Sequence, residues 1–489
     1  GVLNWLVLRA GLDWAAVDMF RAIFGYARQL GLSQSSSRLQ NILLSNVPLV
    51  EALWTFFEVK FNPALEGDRA VAMAKAQDEC ETLIRALSDQ VRDLVFRTIF
   101  NLMDSMLRTN FYRADRKFHY ISFKIDCAKV HNMPAPRMMV EVYVHHVEME
   151  GIHLRGGKIA RGGIRWSDRS DFRREVLDLV ATQMIKNVLI VPEGAKGGFR
   201  MKHQVADWRE RRAKADELYK VLIRGLLDVT DNQVNGEIVH PPQVVRHDEV
   251  DPYLVVAADK GTAHLSDTAN GLSREYGFWL DDAFASGGSN GYDHKAVGIT
   301  ARGGWTTVLR HFEEMGLNPE AEDYTSVAIG DPAGDVFGNG VVYLMQKTQS
   351  TNHMKLLGAF NHKHIFLDPN PNIQSAYEER VRLFETVQGW DGYNTDLISE
   401  GGGVFSRSAK SIPISTEVQQ MLGLLKEQTE LAPEVVIRIL LRLDVDLLWN
   451  GGIGTYVKAT DETHMDAGDP SNDNLRVNGS ELRARIIGE

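Results

Sequence analysis

Three short stretches combine residue types that could act chemically on a small charged molecule. The first is GAKGG, residues 194–198, where Lys196 stands between glycines. Because glycines carry no β-carbon, a ligand can approach this backbone closely. A lysine in such a setting suits a carboxylate or carbonyl group, and burial beside other cations can make it a competent base. The stretch lacks the spacing of a P-loop.

The second stretch is VVAADKGTAH, residues 255–264, in which Asp259 follows an apolar run. This pattern places Asp259 at the end of a strand, where open α/β sheets bind ligands. A turn or helix-capping aspartate is the simpler interpretation. A proton carrier, its charge held by nearby cations, is the functional one. The local pattern leaves both open.

The third stretch is IGDPAGDVFGNG, residues 329–340, which follows a predicted strand and opens a predicted helix. Its glycines Gly334, Gly338 and Gly340 depart from the G-x-G-x-x-G fingerprint. The context nevertheless fits a nucleotide, because the first turn of a helix offers unpaired backbone N–H groups to a pyrophosphate. A tight turn without a ligand is the alternative.

Positive charge is concentrated around the first stretch. Residues 158–202 contain ten lysines and arginines against five acids, in a chain whose net charge is −11. For Arg169, Arg173 and Arg174 the simpler interpretation is a solvated basic face. Two His pairs, at 145–146 and 362 with 364, have no third ligand at useful spacing, so we predict no metal site.

The surrounding pattern predicts an α/β protein with three parts. Helical periodicity covers residues 1–112. Residues 113–298 alternate as half-buried strands at 119–126 and 140–144, continue with a helix from about 171, a strand at 188–191 and the glycine loop 194–198, and reach a strand at 253–258. Residues 299–489 begin a Rossmann-like unit: helix 305–315, strand 325–330, the glycine turn, a helix at 341–348 and strand 356–360. Helices within 416–442 and a strand at 445–449 continue it.

Composition excludes several classes of protein. The negative net charge argues against nucleic acid or an anionic membrane as a partner, and no apolar run approaches the roughly 20 residues of a membrane span. Only Cys80 and Cys127 are present, so we expect no disulfide framework and a cytoplasmic location. The character of both ends predicts a fragment of a longer polypeptide.

Several long motifs, in the same order along the whole chain, resemble the large bacterial NAD-specific glutamate dehydrogenases. They are RGGKIARGGIRWSDR (155–169), NVLIVPEGAKGGF (187–199), VAADKGTAHLSDTAN (256–270), GITARGGW (298–305), GDVFGNG (334–340), GGGVFSRSAKSIPIS (401–415) and LLWNGGIGTYVKA (447–459). The resemblance implies a cytoplasmic homo-oligomer, with the C-terminal part of its cofactor unit lying beyond residue 489.

The resemblance also implies roles for individual residues, by way of the shorter hexameric glutamate dehydrogenases. Arg161, Lys186 and Lys196 match basic residues that bind the substrate, and Lys196 is also catalytic. The catalytic aspartate matches Asp259 or Asp335, and chain order selects Asp259, which lies 63 residues past Lys196 and before Thr300. Lys202 is the nearest candidate for a further catalytic lysine. The implied cofactor contacts are Thr300, Gly334, Gly338, Asn339, Gly340, Asn361 and Asn450.

The predicted reaction is the reversible, NAD-dependent oxidative deamination of L-glutamate to 2-oxoglutarate and ammonia in a cleft between the two α/β units. Hydride leaves the α-carbon for the nicotinamide, Lys196 or Lys202 activates water, and Asp259 carries protons at the nitrogen. Asn361 stands where an acid usually accepts from the ribose hydroxyls, so a preference for NAD over NADP rests on the resemblance.

Two alternatives remain. Another amino-acid dehydrogenase on the same scaffold, such as one for leucine, needs an apolar pocket, and the basic cluster favours glutamate instead. A non-catalytic nucleotide-binding scaffold protein, with residues 1–112 as an interaction module, does not account for Lys196 and Asp259 occurring together.

Overall fold

A computed structural model describes residues 2–115, 119–186, 193–203, 205–259, 262–292, 294–340, 353–452, 454–467 and 469–488. The chain divides into two compact units, Gly1–Gly291 and Tyr292–Glu489. The first unit contains both the predicted helical segment and the predicted substrate domain. The boundary between the units lies close to the predicted one at residue 298.

The first unit opens with six helices. They are α1 (Trp5–Arg9), α2 (Trp14–Gln29), α3 (Ser36–Leu44), α4 (Val47–Phe61), α5 (Arg69–Arg85) and α6 (Gln90–Ser105). Aspartates fix several starts, as where Asp13 accepts a hydrogen bond from the amide of Ala16 at 2.7 Å. The prediction of helices as far as residue 112 is wrong for its last part, because residues 106–109 form a strand. Pairing with the sheet determines the conformation there.

Over the residues that the structure describes, the rest of this unit is built around a seven-stranded sheet in the order β1-β2-β3-β4-β6-β5-β9. The strands are β1 (Met106–Thr109), β2 (Ile121–Asp126), β3 (Val140–His146), β4 (Met149–Arg155), β5 (Gly162–Trp166), β6 (Ala195–Met201) and β9 (Val256–Ala258), with a separate hairpin of β7 (Asn232–Val234) and β8 (Glu237–Val239). Helices α7 (Phe172–Lys186), α8 (Trp208–Leu227) and α9 (Ser266–Glu275) complete the unit. Strands β6, β5 and β9 run parallel to one another.

Strands β2 and β3 occur where alternation predicts them, but both of their faces are buried rather than one. Their polar side chains are compensated inside the protein. Lys124 Nζ lies 2.6 Å from Asp248 Oδ2 and 2.7 Å from Asp251 Oδ2. Buried ion pairs of this kind allow polar side chains on these strands to face the interior instead of water.

In the described part of the second unit, six strands form a sheet in the order β13-β12-β11-β10-β16-β19. Its strands are β10 (Tyr324–Ile329), β11 (Met354–Phe360), β12 (His364–Leu367), β13 (Gly403–Ser406), β16 (Leu447–Asn450) and β19 (Ile486–Gly488); β14 (Ile412–Pro413), β15 (Glu430–Leu431), β17 (Val457–Lys458) and β18 (Val477–Asn478) pair outside it. The helices of this unit that lie wholly within the described residues include α10 (His294–Val297), α11 (Ile299–Glu314), α12 (Ile373–Glu385), α13 (Thr416–Leu422) and α14 (Pro433–Leu441).

Strands β11, β10, β16 and β19 pair in parallel. Beyond β11, β12 pairs antiparallel with β11, and β13 pairs antiparallel with β12. The first strand, β10, thus lies between the second strand and a later one, which is the strand order of a Rossmann-like fold. The strands predicted near 325, 356 and 445 and the helix near 305 are confirmed. The strand predicted at 188–191 and the helix predicted at 341–348 lie outside the described residues.

Among the helices that the structure describes, no single one is long and apolar enough to cross a membrane. Helices α3 and α4, which meet at a bend of 94°, reach the required length and composition only when taken together.

Candidate active site

Lys196 and Asp259 form an ion pair in the first unit. Lys196 Nζ donates to Asp259 Oδ2 at 2.7 Å, and Arg165 Nη2 donates to Asp259 Oδ1 at 3.3 Å. The side chains are 19%, 14% and 19% exposed for Lys196, Asp259 and Arg165, so all three are mostly screened from water. A carboxylate held by two cations from opposite sides keeps a fixed orientation.

The sheet places these residues together although they are distant in the chain. Asp259 follows directly after β9, Lys196 is the second residue of β6, and β5 lies between those strands. Two strand spacings amount to about 10 Å, which an extended lysine side chain can bridge. Strand β5 begins with Gly162 and Gly163, which place no side chain in its path.

Arg165 is itself fixed by an acid on α7. Its Nη1 donates to Glu175 Oε1 at 2.9 Å, and Ser167 Oγ donates to Glu175 Oε2 at 2.5 Å. Burial opposes the charge of Arg165, but the hydrogen bonds to Glu175 and Asp259 outweigh it and raise the pKa of the guanidinium. The roles of Arg165 and Glu175 are not predicted from the sequence. The available signal was the position of Arg165 in GGIRW, two residues past a glycine pair.

The backbone at Asp259 is fixed by Thr262. The amide of Asp259 donates to Thr262 Oγ1 at 3.2 Å, and that hydroxyl donates to the carbonyl oxygen of Ile164 at 2.6 Å. This links the end of β9 to the middle of β5. Thr262 therefore ties the residue that carries the carboxylate to the strand that carries Arg165.

The stretch predicted as a glycine loop is a central strand, β6, and its glycines serve packing. A β-carbon at Gly198 would lie 2.6 Å from Val176 Cγ2 of α7, and one at Gly197 would overlap Ile164 Cδ1. The space beside this backbone is thus filled by protein side chains. At Gly197 and Gly198 the missing side chains let β5 and α7 pack closely, and the approach of a ligand to the 194–198 backbone stays a prediction.

The remaining predicted substrate residues are less well defined. Arg161 is exposed and pairs through its backbone with Gly194, just before β6. Lys186 ends α7, and its side chain lies outside the described part of the chain. The structure thus brings the backbone of Arg161 to the start of the Lys196 strand.

Lys202 does not share this site. It follows the last residue of β6, six residues from Lys196, which corresponds to about 20 Å along a strand. Its Nζ lies 3.2 Å from His145 Nδ1 and donates to the carbonyl oxygen of His146 at 2.7 Å. The prediction of Lys202 as a catalytic partner is therefore corrected. Lys196 and Lys202 are close in sequence, but they lie at opposite ends of β6.

The basic cluster is not one solvated face. Arg169 pairs with Asp171 at the surface, as the simple interpretation predicts, and Arg174 is exposed. Arg173 contradicts it, because it is 1% exposed and its Nε donates to Glu141 Oε2 at 3.0 Å. Burial opposes the charge of Arg173, but the charge of Glu141 and the hydrogen bonds to it outweigh that effect and raise the pKa of the guanidinium.

In the second unit, the predicted nucleotide loop joins β10 to a helix that begins at residue 335. The amide of Gly334 donates to the carbonyl oxygen of Asp331 at 2.8 Å and closes a tight turn. A β-carbon at Gly338 would overlap the carbonyl oxygen of Pro332, and one at Gly340 would lie 2.5 Å from Trp449. These glycines let the helix start pack directly against the loop and β16, which is the role of the later glycines in a dinucleotide fingerprint.

The asparagines predicted to contact a cofactor form hydrogen bonds with other groups of the protein. Asn339 Nδ2 donates to Asp335 Oδ1 at 2.8 Å and to the carbonyl oxygen of Lys295 at 2.7 Å. Asn450 Oδ1 accepts from the amide of Gly452 at 3.3 Å. Thr300 is exposed near the start of α11. Each lies where the sequence predicts, and a role for each in cofactor binding stays a prediction.

Asn361 is the first residue after β11, and its side chain contacts an acid that was not predicted there. Its Oδ1 accepts from the amides of Lys363 and His364 at 2.8 and 2.7 Å, and its Nδ2 donates to Asp331 Oδ2 at 2.5 Å. Asp331 belongs to the turn after β10. A carboxylate therefore lies at the end of the second parallel strand although the residue there is an asparagine.

One unit holds a parallel sheet with a Rossmann-like strand order, and the other unit holds a lysine–aspartate pair. These two features together are those of an amino-acid dehydrogenase. The family model for the bacterial NAD-glutamate dehydrogenase catalytic domain matches residues 79–489, and the model for glutamate dehydrogenase helical motif 3 matches residues 2–63. The chain belongs to the bacterial NAD-glutamate dehydrogenase family.

Curated relatives agree with this assignment. NAD-specific glutamate dehydrogenases of Halomonas elongata and Pseudomonas aeruginosa are each 47% identical over 99% of this chain, and that of Mycobacterium tuberculosis is 46% identical over 99%. The chain spans 30% of the length of the first two relatives and 31% of the third.

Among solved structures, a hetero-hexameric glutamate dehydrogenase from Thermus thermophilus, in a leucine-bound form, is similar to this chain. The identity is 11%, the TM-score is 0.36, and the match covers 76% of this chain and 66% of that one.

Proposed function

We propose that the protein containing this chain catalyses the reversible oxidative deamination of L-glutamate to 2-oxoglutarate and ammonia with NAD. Membership of the glutamate dehydrogenase family supports the reaction class. The single observation that carries the assignment to this chain is the Asp259 carboxylate held between Lys196 Nζ, at 2.7 Å, and Arg165 Nη2, at 3.3 Å.

The first unit supplies the groups that act on the substrate. Asp259 moves protons at the substrate nitrogen, because it is the carboxylate positioned beside the cations. Lys196 binds a substrate carboxylate and stabilises negative charge on the oxygen that forms at the α-carbon. Arg161 and Lys186 bind the carboxylates, as the family resemblance implies. Arg165 positions Asp259 and does not contact the substrate.

The second unit fits a dinucleotide. Gly338 and Gly340 permit the close packing that such a fold requires at the helix start, and β10 lies centrally among the parallel strands. The residues that would hold the cofactor are Thr300, Gly334, Asn339, Asn450 and the pair Asp331 with Asn361. When bound, NAD accepts the hydride from the substrate α-carbon.

Asp331 is the residue of this unit that favours NAD over NADP in our proposal. A carboxylate at the end of the second parallel strand accepts hydrogen bonds from ribose hydroxyls and repels a 2′-phosphate. Asn361 holds that carboxylate in place at 2.5 Å. Asp331 thus takes the role of the acid that usually accepts from the ribose hydroxyls, a role that Asn361 cannot fill as a carboxylate.

We further propose a homo-oligomer located in the cytoplasm. The location is supported by Cys80 and Cys127, which are both buried and unpaired with each other. The exposed apolar side chains Trp5, Leu8 and Trp14, which are 55%, 76% and 64% exposed, support contact with another surface.

The proposal is tested by following NADH absorbance when glutamate is added to the full-length protein with NAD, with leucine as the comparison substrate. We expect turnover on glutamate at least about 100-fold faster than on leucine, since the pocket cations lose a charged partner when leucine binds. Faster turnover on leucine would establish the alternative amino-acid dehydrogenase. No NAD reduction with any amino acid would establish the non-catalytic scaffold.

A further inference from the structure

A second cationic cavity lies in the first unit, at the end of β6 opposite Lys196. Its volume is about 320 Å³, and its wall is built from α2, α3 and the ends of β3, β4 and β6. Lys202, which the reaction does not use, is one of its lining residues. The cavity is thus separate from the Asp259 site.

The floor of the cavity is a row of three side chains on neighbouring strands. His145 of β3 is directly opposite Glu150 of β4, and Glu150 is directly opposite Arg200 of β6. Residues paired in this way point to the same face of a sheet. Arg200 Nη2 donates to Glu150 Oε1 at 3.0 Å, so the only carboxylate in the row already has a cation.

Helix α2 contributes one stripe of residues to the same cavity. Arg21, Phe24, Gly25 and Arg28 recur at helical spacing and therefore share a face. A β-carbon at Gly25 would overlap the hydroxyl of Tyr143 on β3. Gly25 thus lets α2 approach the sheet closely, and the two arginines are placed at either side of that contact.

Positive charge exceeds negative charge in this cavity. The lining contains Arg21, Arg28, Arg200 and Lys202 against Glu150. Arg21 pairs with Asp18, which is also the partner of His145 at 3.5 Å.

Two of these cations have neutral partners within the part of the chain that the structure describes. Arg28 Nη1 donates to Ser36 Oγ at 3.0 Å. Lys202 contacts His145 Nδ1 and the carbonyl oxygen of His146. Arg28 and Lys202 are therefore the cations available to an anionic ligand.

The burial of Lys202 has an electrostatic consequence. Burial lowers the pKa of Lys202 to about 8, and the nearby charges of Glu150 and Asp18 only partly offset it. A buried ammonium without a carboxylate in direct contact gains much from an added anion, because the interaction takes place away from bulk water.

Part of the remaining wall is apolar. Leu3, Phe24 and Leu39 line it and are 2%, 8% and 1% exposed, and Ser36 and Gln40 add polar groups. A volume near 300 Å³, with a few charged groups and a partly apolar wall, is typical of a pocket for a small organic molecule. A neighbouring cavity of about 240 Å³ shares Arg28, Glu150 and Arg200 and is also lined by Asp171.

We propose that this cavity binds a small organic anion, with a carboxylate or phosphate group on Lys202 and Arg28 and its carbon part against Phe24 and Leu39. Guanidinium and ammonium groups bind both kinds of anion by charge-assisted hydrogen bonds. Because the cavity joins α2 and α3 to the ends of three strands, occupancy would stabilise the packing of the helices on the sheet.

The test is calorimetric titration of the full-length protein with succinate and, separately, with inorganic phosphate. We expect at least one of them to bind, and Lys202→Met and Arg28→Gln each to weaken that binding by about tenfold or more. Arg28 is exposed, so its variant tests the cavity without changing a side chain that packs inside the protein. Lys220→Met, which removes a surface lysine paired with Glu217, is the charge-matched control.

A dicarboxylate could also bind at Lys196, so every titration is repeated in a Lys196→Met background. Binding that persists in this background and is lost with Lys202→Met or Arg28→Gln supports the proposal. Binding of phosphate alone or succinate alone identifies which anion the cavity takes. The proposal is overturned if neither probe binds, or if binding is lost with Lys196→Met and unchanged in both cavity variants.

Discussion

Lys196 donates a hydrogen bond to Asp259 at 2.7 Å although 63 residues separate them in the chain. The contact crosses β5, and it exists because β6, β5 and β9 are adjacent parallel strands. Lys196 and Asp259 meet only because the sheet brings β6 and the end of β9 close together. The position of the carboxylate therefore depends on the residues that fix the ends of those strands.

Arg165 is the first of those residues to test. Arg165→Gln should lower kcat about 10- to 100-fold, because Asp259 loses a cationic partner and its fixed orientation. Arg165→Lys should recover only part of the activity, since lysine cannot bridge Glu175 and Asp259 as a planar fork does. Steady-state kinetics with Arg169→Gln as the control, an exposed arginine paired with Asp171, separates this effect from a general loss of charge.

The same network predicts coupling between Arg165 and Glu175. In a double-mutant cycle, Glu175→Gln should cost less when Arg165 is already Gln, with a coupling energy of about 1 kcal/mol. Additive effects on kcat would mean that Glu175 does not act through Arg165.

Gly198 tests whether the glycines of β6 serve packing. Gly198→Ala should lower the free energy of unfolding by about 1–3 kcal/mol, because the new methyl group meets Val176 of α7. Gly271→Ala in α9, where a β-carbon has open space, should be neutral or stabilising. Denaturant unfolding of both variants gives the comparison. If both variants are equally stable and Gly198→Ala binds glutamate more weakly, the glycine instead allows a ligand to approach the backbone.

Much of the secondary structure was predictable because its signals are local. The alternation in β2 and β3 and the apolar runs of β10 and β16 are visible within a few residues. The conformation of β6 was not, since glycine-rich sequence favours a loop and only its neighbours β4 and β5 make it a strand. The same limit applies to β1, which pairs with β2 after a long helical segment.

The candidate site was predictable in part for the same reason. Lys196 and Asp259 were found through motif resemblance, and their contact follows from strand order. The location of Lys202 was not predictable without knowing that residues 195–201 form a strand. Each residue of a strand adds about 3.3 Å, so Lys202 lies at the opposite end of β6 from Lys196. The burial of Arg173 was not predictable because its partner, Glu141, lies on β3, 32 residues earlier in the chain than this residue of α7.

Lys202 gives a pH-dependent prediction for stability. Burial lowers its pKa from 10.5 to about 8, so between those values the unfolded chain binds more protons than the folded one. Stability from this group therefore rises with pH through that interval and is lowest below about pH 8. Lys202→Met should stabilise the protein by about 1–2 kcal/mol near pH 7, after allowing for the lost hydrogen bond to His146.

That gain should vanish near pH 10, where the lysine is neutral in the folded protein. Thermal unfolding of Lys202→Met and of the control Lys220→Met, at about pH 7 and about pH 10, gives the measurement. A gain that does not change with pH would show that packing, rather than the buried charge, determines it.

Asp331 tests the proposed basis of cofactor preference. Asp331→Asn should raise the ratio of kcat/KM for NADP to that for NAD by about tenfold, because the carboxylate no longer repels a 2′-phosphate. Asp323→Asn, which removes a surface acid just before β10, is the matched control. An unchanged ratio in Asp331→Asn would remove Asp331 from this role.

The central claim is that Asp259 carries protons in the reaction, and Asp259→Asn in the full-length protein tests it most directly. Asparagine keeps the size of the side chain and a hydrogen-bond acceptor for Lys196, but it cannot take up a proton. We predict a fall in kcat of at least about 1,000-fold, with the dissociation constant for NAD within about twofold of the unsubstituted protein. Turnover within about tenfold of the unsubstituted protein would contradict the account.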